Sequence, residues 1–179
     1  IGGISEELGL YDNAIKYYKK SLDFVKGFSD YKLYESFIQG NIAIVYLKTK
    51  KYNEVLKITE ELLSRDNIKQ DDPEFYAAIL NNQAIAKYKS GLSYDFEEVL
   101  GQFEQALNIL TTYENLNDIG VVEFDLAEFF YSKDKFEEAR NHLDKSLNIN
   151  KETSNYEYIL RALELKSRLE KGETGKLYL

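Results

Sequence analysis

Four stretches of the chain repeat one spacing of apolar and small side chains. Each begins with an aromatic residue, followed after three positions by a small or β-branched residue, after four more by a larger residue and after three more by a small or aliphatic one. The four sets are Tyr11-Ala14-Tyr18-Ser21, Tyr52-Val55-Thr59-Leu62, Phe96-Val99-Phe103-Ala106 and Phe136-Ala139-Leu143-Ser146. Spacings of three and four residues place side chains on one face of a helix, so the pattern predicts four amphipathic helices.

A second helix is predicted before each of these four. The small residues Gly2, Ala43 and Ala127 lie nine positions before the aromatic residue of their set, and Ala84 lies twelve positions before Phe96. Small residues are typical of places where two helices cross closely. Each unit therefore predicts two helices joined by a turn, and the three extra residues 92–94 lengthen one of these turns.

Repetition of this unit predicts an all-α, right-handed solenoid of about four and a half helical hairpins, forming one domain. The units are approximately residues 1–30, 31–70, 73–114, 117–152 and a partial unit 155–179. Asp72 is predicted to cap the helix that Pro73 begins. The chain starts at Ile1 and contains no Met, so we expect a fragment of a longer protein. We also expect apolar surface at both incomplete ends, and a turn in residues 172–179 that leads into a partner helix.

The order small-x2-aromatic, followed by aromatic-x2-Ala-x3-large-x2-Ala, resembles the tetratricopeptide repeat. The resemblance is carried by residues 10–24, 41–63 and 126–147. The period of about 40 exceeds the family's usual 34, which implies helices about one turn longer. Long units of this kind are similar to those of bacterial regulatory repeat proteins, such as quorum-sensing peptide receptors and repeat-fused sensor kinases.

The resemblance implies a concave groove, lined by the first helix of each hairpin, that holds a peptide. Superposing the units on their small residues aligns Asn41, Asn82 and Asp125. In the family an asparagine here bonds the peptide backbone, whereas an aspartate can only accept. The other candidate groove residues are Ile44, Leu47, Lys48, Asn81, Ile85, Tyr88, Lys89, Phe124, Glu128 and Tyr131.

The predicted groove is partly apolar and aromatic, cationic in units two and three and acidic in unit four. Such a groove suits a short mixed-charge peptide with apolar anchors. The alternative is that these side chains serve only the helix surfaces and the contacts between hairpins.

Composition and motifs restrict the remaining chemistry. The net charge of −8 argues against nucleic-acid binding, and the absence of Cys excludes thiolate catalysis and zinc–thiolate sites. No apolar run approaches the roughly 20 residues of a membrane span. The segment GETGK at 172–176 lacks the spacing of a phosphate loop. The neighbours of the single histidine, His142, at helical spacing are Glu138, Ala139 and Ser146, and nothing in the sequence supplies the nucleophile and oriented base that a catalytic role needs. The sequence predicts no cofactor, no metal and no membrane insertion.

These observations favour a non-catalytic peptide- or protein-binding module that forms the sensing or scaffolding region of a bacterial regulatory protein. The alternative is a self-association scaffold whose open ends stack on another copy. An enzyme is the third class, and no residues in the sequence carry a reaction. We expect a cytoplasmic location, with an extracytoplasmic sensor region as the alternative.

Overall fold

The computed structural model describes residues 2–29, 31–65 and 67–176, with the backbone alone described for residues 172–176. These residues form ten helices. The helices are α1 (Gly2–Glu7), α2 (Tyr11–Val25), α3 (Tyr31–Lys48), α4 (Tyr52–Leu63), α5 (Ile68–Asp71), α6 (Pro73–Lys89), α7 (Phe96–Thr112), α8 (Leu116–Tyr131), α9 (Phe136–Glu152) and α10 (Tyr156–Lys176).

The helices pack as successive hairpins, as predicted. The pairs are α1 with α2, α3 with α4, α6 with α7 and α8 with α9, and α10 packs against α9 and α8 as the first helix of an unfinished unit. Each hairpin also contacts the next one, so the core runs along the array. The all-α solenoid of about four and a half hairpins is therefore confirmed.

The repeated positions form the contacts between helices. The second residue of each set, Ala14, Val55, Val99 or Ala139, is fully buried. The small residues that precede the sets are also buried. At Gly2 a Cβ atom would lie only 2.8 Å from the Tyr18 ring, which shows how closely α1 and α2 approach.

The turn within each hairpin has one left-handed residue at a constant place. Gly9, Lys50, Gly91 and Asp134 have φ angles of 71°, 58°, 75° and 57°, and each lies seven positions after the small residue of its unit. Glycine adopts this conformation without steric cost, whereas other residues do so with strain. Glycine therefore occupies this position in two of the four turns. In the other two, the surrounding hairpin holds Lys50 and Asp134 in the left-handed conformation.

The cap and the extra loop follow the sequence prediction, but the chain end differs. The carboxylate of Asp72 accepts a hydrogen bond from the Phe75 amide at 2.9 Å, as an N-cap does. Residues 90–95 form the long turn between α6 and α7. Residues 172–176 continue α10 rather than forming the expected turn, so the prediction of a helix end there is wrong. The expected partner helix would need residues 177–179, which lie outside the described residues.

Candidate peptide-binding groove

The first helices of the hairpins, together with α10, line a concave groove of about 780 Å³. The walls come from α1, α3, α6, α8 and α10, and the second helices contribute Tyr11, Tyr52 and Leu110. Eight of the predicted groove residues line it: Ile44, Leu47, Lys48, Asn81, Asn82, Ile85, Lys89 and Asp125. The superposed units therefore bring most of the candidate residues into one surface.

Five candidate residues do not line the groove. Tyr88 and Phe124 belong to the core, where the Tyr88 ring contacts Phe129 and Phe124 is almost fully buried. Glu128 and Tyr131 are half-buried beneath basic side chains of α6 and α10. Asn41 is exposed on α3 outside the lining. The amide expected to bind a peptide in unit two is thus outside the groove, whereas its counterpart Asn82 is inside.

Asp125 is the buried acid of the groove. Its Oδ2 accepts a hydrogen bond from Asn81 Nδ2 at 2.9 Å, across the contact between α8 and α6. Burial raises the pKa of the Asp125 carboxyl to about 6, against the opposing effects of the Arg161 charge and the Asn81 hydrogen bond. Asp125 stands where units two and three have asparagine, and its carboxylate therefore connects α8 to α6 and α10.

Arg161 on α10 is a groove residue that the sequence reasoning missed. Its guanidinium carbon lies 4.5 Å from the ring centres of both Phe124 and Tyr158, and its Nη2 lies 4.0 Å from Asp125 Oδ1. The guanidinium is therefore held by two aromatic faces and an acid. The incomplete fifth unit was not superposed on the others, so no position of α10 entered the groove prediction.

The lysines of the groove are neutralised by partners from neighbouring units. Lys48 Nζ lies 2.9 Å from Glu6 Oε1, and Lys89 Nζ lies 2.7 Å from Glu128 Oε2. Although burial raises the pKa of Glu128, the charges of Lys89, Arg161 and Arg168 outweigh that effect and hold the pKa below its usual value. The cationic character predicted for units two and three is thus cancelled within the molecule.

The charges left unpaired in the groove lining are acidic. Glu7 on α1 and Glu157 on α10 form no ion pair with any described residue. Asp118 on α8 accepts a hydrogen bond from Asn115 at 2.9 Å, and burial raises its pKa. In addition, Asn81 Oδ1 is buried and forms no hydrogen bond with the described residues. The groove lining therefore contains unpaired carboxylates and, at Asn81, a buried acceptor without a partner.

The described part of the chain contains no group of three or more His, Asp or Glu side chains that could hold a metal ion. His142 Nδ1 lies 2.6 Å from Glu123 Oε2, and the imidazole stacks on the Phe130 ring at 5.3 Å, which ties α9 to α8. Within the described residues, no helix is long and apolar enough to cross a membrane.

Comparison with known families finds a match at the start of the chain. The family model described as tetratricopeptide repeat matches residues 1–24, which comprise α1 and most of α2. This match supports the tetratricopeptide-repeat assignment, and the resemblance predicted from the sequence is confirmed. Tetratricopeptide repeats are generally non-catalytic and bind peptides or proteins. No curated protein matches the sequence.

A solved structure shares the fold over nearly the whole chain. The crystal structure of BtubC (BKLC) from P. vanneervenii superposes with a TM-score of 0.62 and 14% identity, covering 97% of this chain and 78% of that one. At this identity the similarity concerns the fold alone. It shows that the hairpin array has a counterpart of the same architecture.

Proposed function

We propose that this tetratricopeptide-repeat chain captures a segment of another protein in its groove, as the sensing or scaffolding region of a bacterial regulatory protein. The observation that carries the proposal is the groove itself, which every first helix of the array helps to line. Its volume of about 780 Å³ lies within the usual range of ligand sites, about 300–1,000 Å³. The repeat family supports a protein-interaction module in general.

The lining has the two parts that peptide capture requires. Ile44, Leu47 and Ile85 supply apolar wall, on which the side chains of a bound segment can be desolvated. Asn82 adds an amide that offers both a donor and an acceptor to a peptide backbone. Apolar anchors give affinity and the amide fixes the register of the segment.

Two asparagines at equivalent places in the repeat provide the test. Asn82 lines the groove, whereas Asn41 occupies the same position of unit two and is exposed outside it. A peptide array probed with the purified chain identifies binding sequences, and fluorescence anisotropy then compares the single variants. We expect Asn82→Ala to weaken binding about fivefold, as the loss of one hydrogen bond predicts, and Asn41→Ala to leave it unchanged. Equal effects of both variants, or no bound peptide, would overturn the proposal.

Capture would act on an attached domain by changing the curvature of the array. Because each hairpin of the described residues packs mainly against its neighbours, a segment that touches several first helices favours one spacing of the hairpins. Small-angle X-ray scattering of this chain with and without the selected peptide measures this effect. We expect a change in the radius of gyration, and an unchanged scattering curve at saturation would rule out curvature as the signal.

A second candidate function is self-association through the ends of the array. The first hairpin exposes Ile4 and Leu8, and α10 exposes Tyr156, Leu160 and Leu163. If these faces stack on another copy, the sedimentation coefficient will rise with concentration, and Leu160→Glu will abolish the rise. Leu92→Glu, in the exposed turn between α6 and α7, is the matched control that should have no effect. A concentration-independent monomer would exclude this function.

A further inference from the structure

We propose that the segment captured in the groove is basic, with Lys or Arg side chains flanking an apolar anchor. This inference rests on the proposed function and names the chemical class of its partner. It depends on three observations about the groove: which charges are already paired, which are free, and which buried polar atom lacks a partner.

The paired charges are the cations. Lys48 is satisfied by Glu6, and Lys89 by Glu128, at 2.9 and 2.7 Å. Arg161 lies between two aromatic rings and close to Asp125. An acidic segment would have to compete with these internal carboxylates for every basic side chain of the lining. The groove therefore presents no free cation to an acidic partner among the described residues.

The free charges are carboxylates that come from three separate helices. Glu7 and Glu157 stand on the first and last helices of the array and form no ion pair with the described residues, and Asp118 lies on α8. A segment lying along the groove would meet negative charge on several helices. Arg is well suited to such positions because its guanidinium binds a carboxylate through two parallel hydrogen bonds. The net charge of −8 also attracts a cationic partner from a distance.

The buried atom without a partner is an acceptor. Asn81 lines the groove with only 5% of its surface exposed, and its Nδ2 is committed to Asp125. Its Oδ1, which has no hydrogen-bond partner, can therefore only accept. A buried acceptor is costly to leave unsatisfied, and the N–H of a ligand would satisfy it. Lys and Arg carry only donors, whereas Asp and Glu side chains would place a second acceptor against it.

The apolar part of the lining suits the same segment. Ile44, Leu47 and Ile85 form a wall between the acidic positions, where one large aliphatic side chain of the partner can pack. The aliphatic stems of Lys and Arg can lie along this wall while their charged ends reach the carboxylates. A basic residue on each side of an apolar anchor therefore matches the order of surfaces along the groove.

The test uses three fluorescein-labelled peptides that differ only in charge. Each has nine residues with a central leucine pair, flanked on both sides by arginines, by glutamines or by glutamates. Anisotropy titrations with the whole chain at low salt should give a Kd for the arginine peptide at least tenfold below that of the glutamate peptide. The affinity of the arginine peptide should fall as salt is raised. A glutamine or glutamate peptide that binds as tightly would overturn the inference.

Matched double variants locate the charge effect. Glu7→Gln with Glu157→Gln neutralises two groove carboxylates, and Glu104→Gln with Asp144→Asn removes the same charge from exposed positions on α7 and α9. All four side chains are exposed, and thermal melts confirm that both variants remain folded. We expect the groove variant to weaken the arginine peptide about tenfold and the control to change it less than twofold. Equal weakening by both variants would show that binding depends on the net charge of the chain and not on the groove carboxylates, which would contradict the inference.

The outcomes separate this inference from the function on which it rests. If glutamine or glutamate peptides bind and depend on Asn82, groove capture stands and the basic partner is wrong. If the free polyamine spermine displaces the arginine peptide stoichiometrically at similar concentrations, the site recognises cations and not a segment, which also overturns the inference. If no array peptide binds, the proposed function fails, and this inference fails with it.

Discussion

The hairpins from α6 to α10 and those from α1 to α4 follow one repeat but bury their side chains differently. From α6 to α10 most of the buried apolar residues form one continuous cluster, in which the Phe129 ring contacts those of Tyr88, Phe96 and Phe103. In the earlier hairpins the buried residues fall into smaller clusters, such as the one around Ala14 and Tyr18. The same packing positions thus produce a continuous core in one half only.

The exposed side chains show the same difference. Apolar residues with more than a third of their surface exposed are concentrated at the end of α2, the loop after it and the start of α3: Phe24, Phe28, Tyr31, Leu33, Tyr34 and Phe37. The stability of a repeat array is approximately a sum over units and their interfaces. We therefore infer that α1–α4 open at a lower free energy than α6–α10, so that one wall of the groove is rigid and the other adjustable.

The largest effect is expected from a ring in the continuous core. Phe129→Ala should lower the free energy of unfolding by about 3–5 kcal/mol, because Phe129 is fully buried and its removal leaves a cavity among several rings. Phe24→Ala is the matched change in the other half and should alter stability by less than about 0.5 kcal/mol, since most of that ring is exposed. Denaturant titrations measure both. Similar losses would show that the two halves are equally packed.

An intermediate effect is expected from the buried acid of the rigid wall. Because burial raises the pKa of Asp125 from its usual value to about 6, the folded state holds its proton more tightly than the unfolded chain does. Its contribution to stability is thus greatest at low pH and declines as pH rises through the range from about 4 to 6. The Asp125→Asn variant should lose this dependence and gain on the order of 2 kcal/mol relative to the parent between pH 4 and 7.

The groups facing Asp125 define the control for this measurement. They are Asn81 and Lys89 on α6, Glu128 on its own helix and Arg161 on α10. Glu128 has a lowered pKa, so its contribution is lost as pH falls, opposite in direction to that of Asp125. Subtracting the stability–pH curve of the parent from that of Asp125→Asn removes the contribution of Glu128. A difference that is flat with pH would mean that Asp125 is not desolvated.

The smallest effect concerns the turns, which are alike in both halves. Lys50 holds a left-handed φ of 58°, so Lys50→Gly should stabilise the chain by about 0.5–1 kcal/mol. At the equivalent place Gly91 has φ 75°, and Gly91→Ala should destabilise the chain by about 1 kcal/mol, although no neighbouring atom would contact the added methyl group. Thermal melts measure both shifts. A stabilising Gly91→Ala would contradict the account of the turns.

The fold could be predicted from the sequence because the packing positions are filled by residues of the right size. Gly2, Ala43, Ala84 and Ala127 are buried where the helices cross, and their spacing alone located every hairpin. The left-handed turn position, seven residues after each small residue, was not recognised from the sequence. It is glycine in two units but Lys50 or Asp134 in the other two. Size requirements in a close crossing are strict, whereas a turn tolerates residues that bear some strain.

Most of the residues predicted from the sequence line the groove, but the charge that the groove presents was not predicted. Asn41 and Asn82 share a position in the repeat, yet among the described residues only Asn82 lines the groove. The lysines were correctly placed, but their partners lie 42 and 39 residues away, in other units. Ion pairs between units depend on side-chain reach across the array, and the repeat pattern carries no information about that.

Hydrogen exchange with and without the arginine peptide tests the central claim, that the groove captures a segment, most directly. We predict that the peptide slows exchange in the first helices, α1, α3, α6, α8 and α10, with the largest change in α1 and α3, which form the more adjustable wall. The second helices α7 and α9 should change least. Protection confined to the exposed apolar faces of α1 and α10, or spread equally over first and second helices, would contradict capture in the groove.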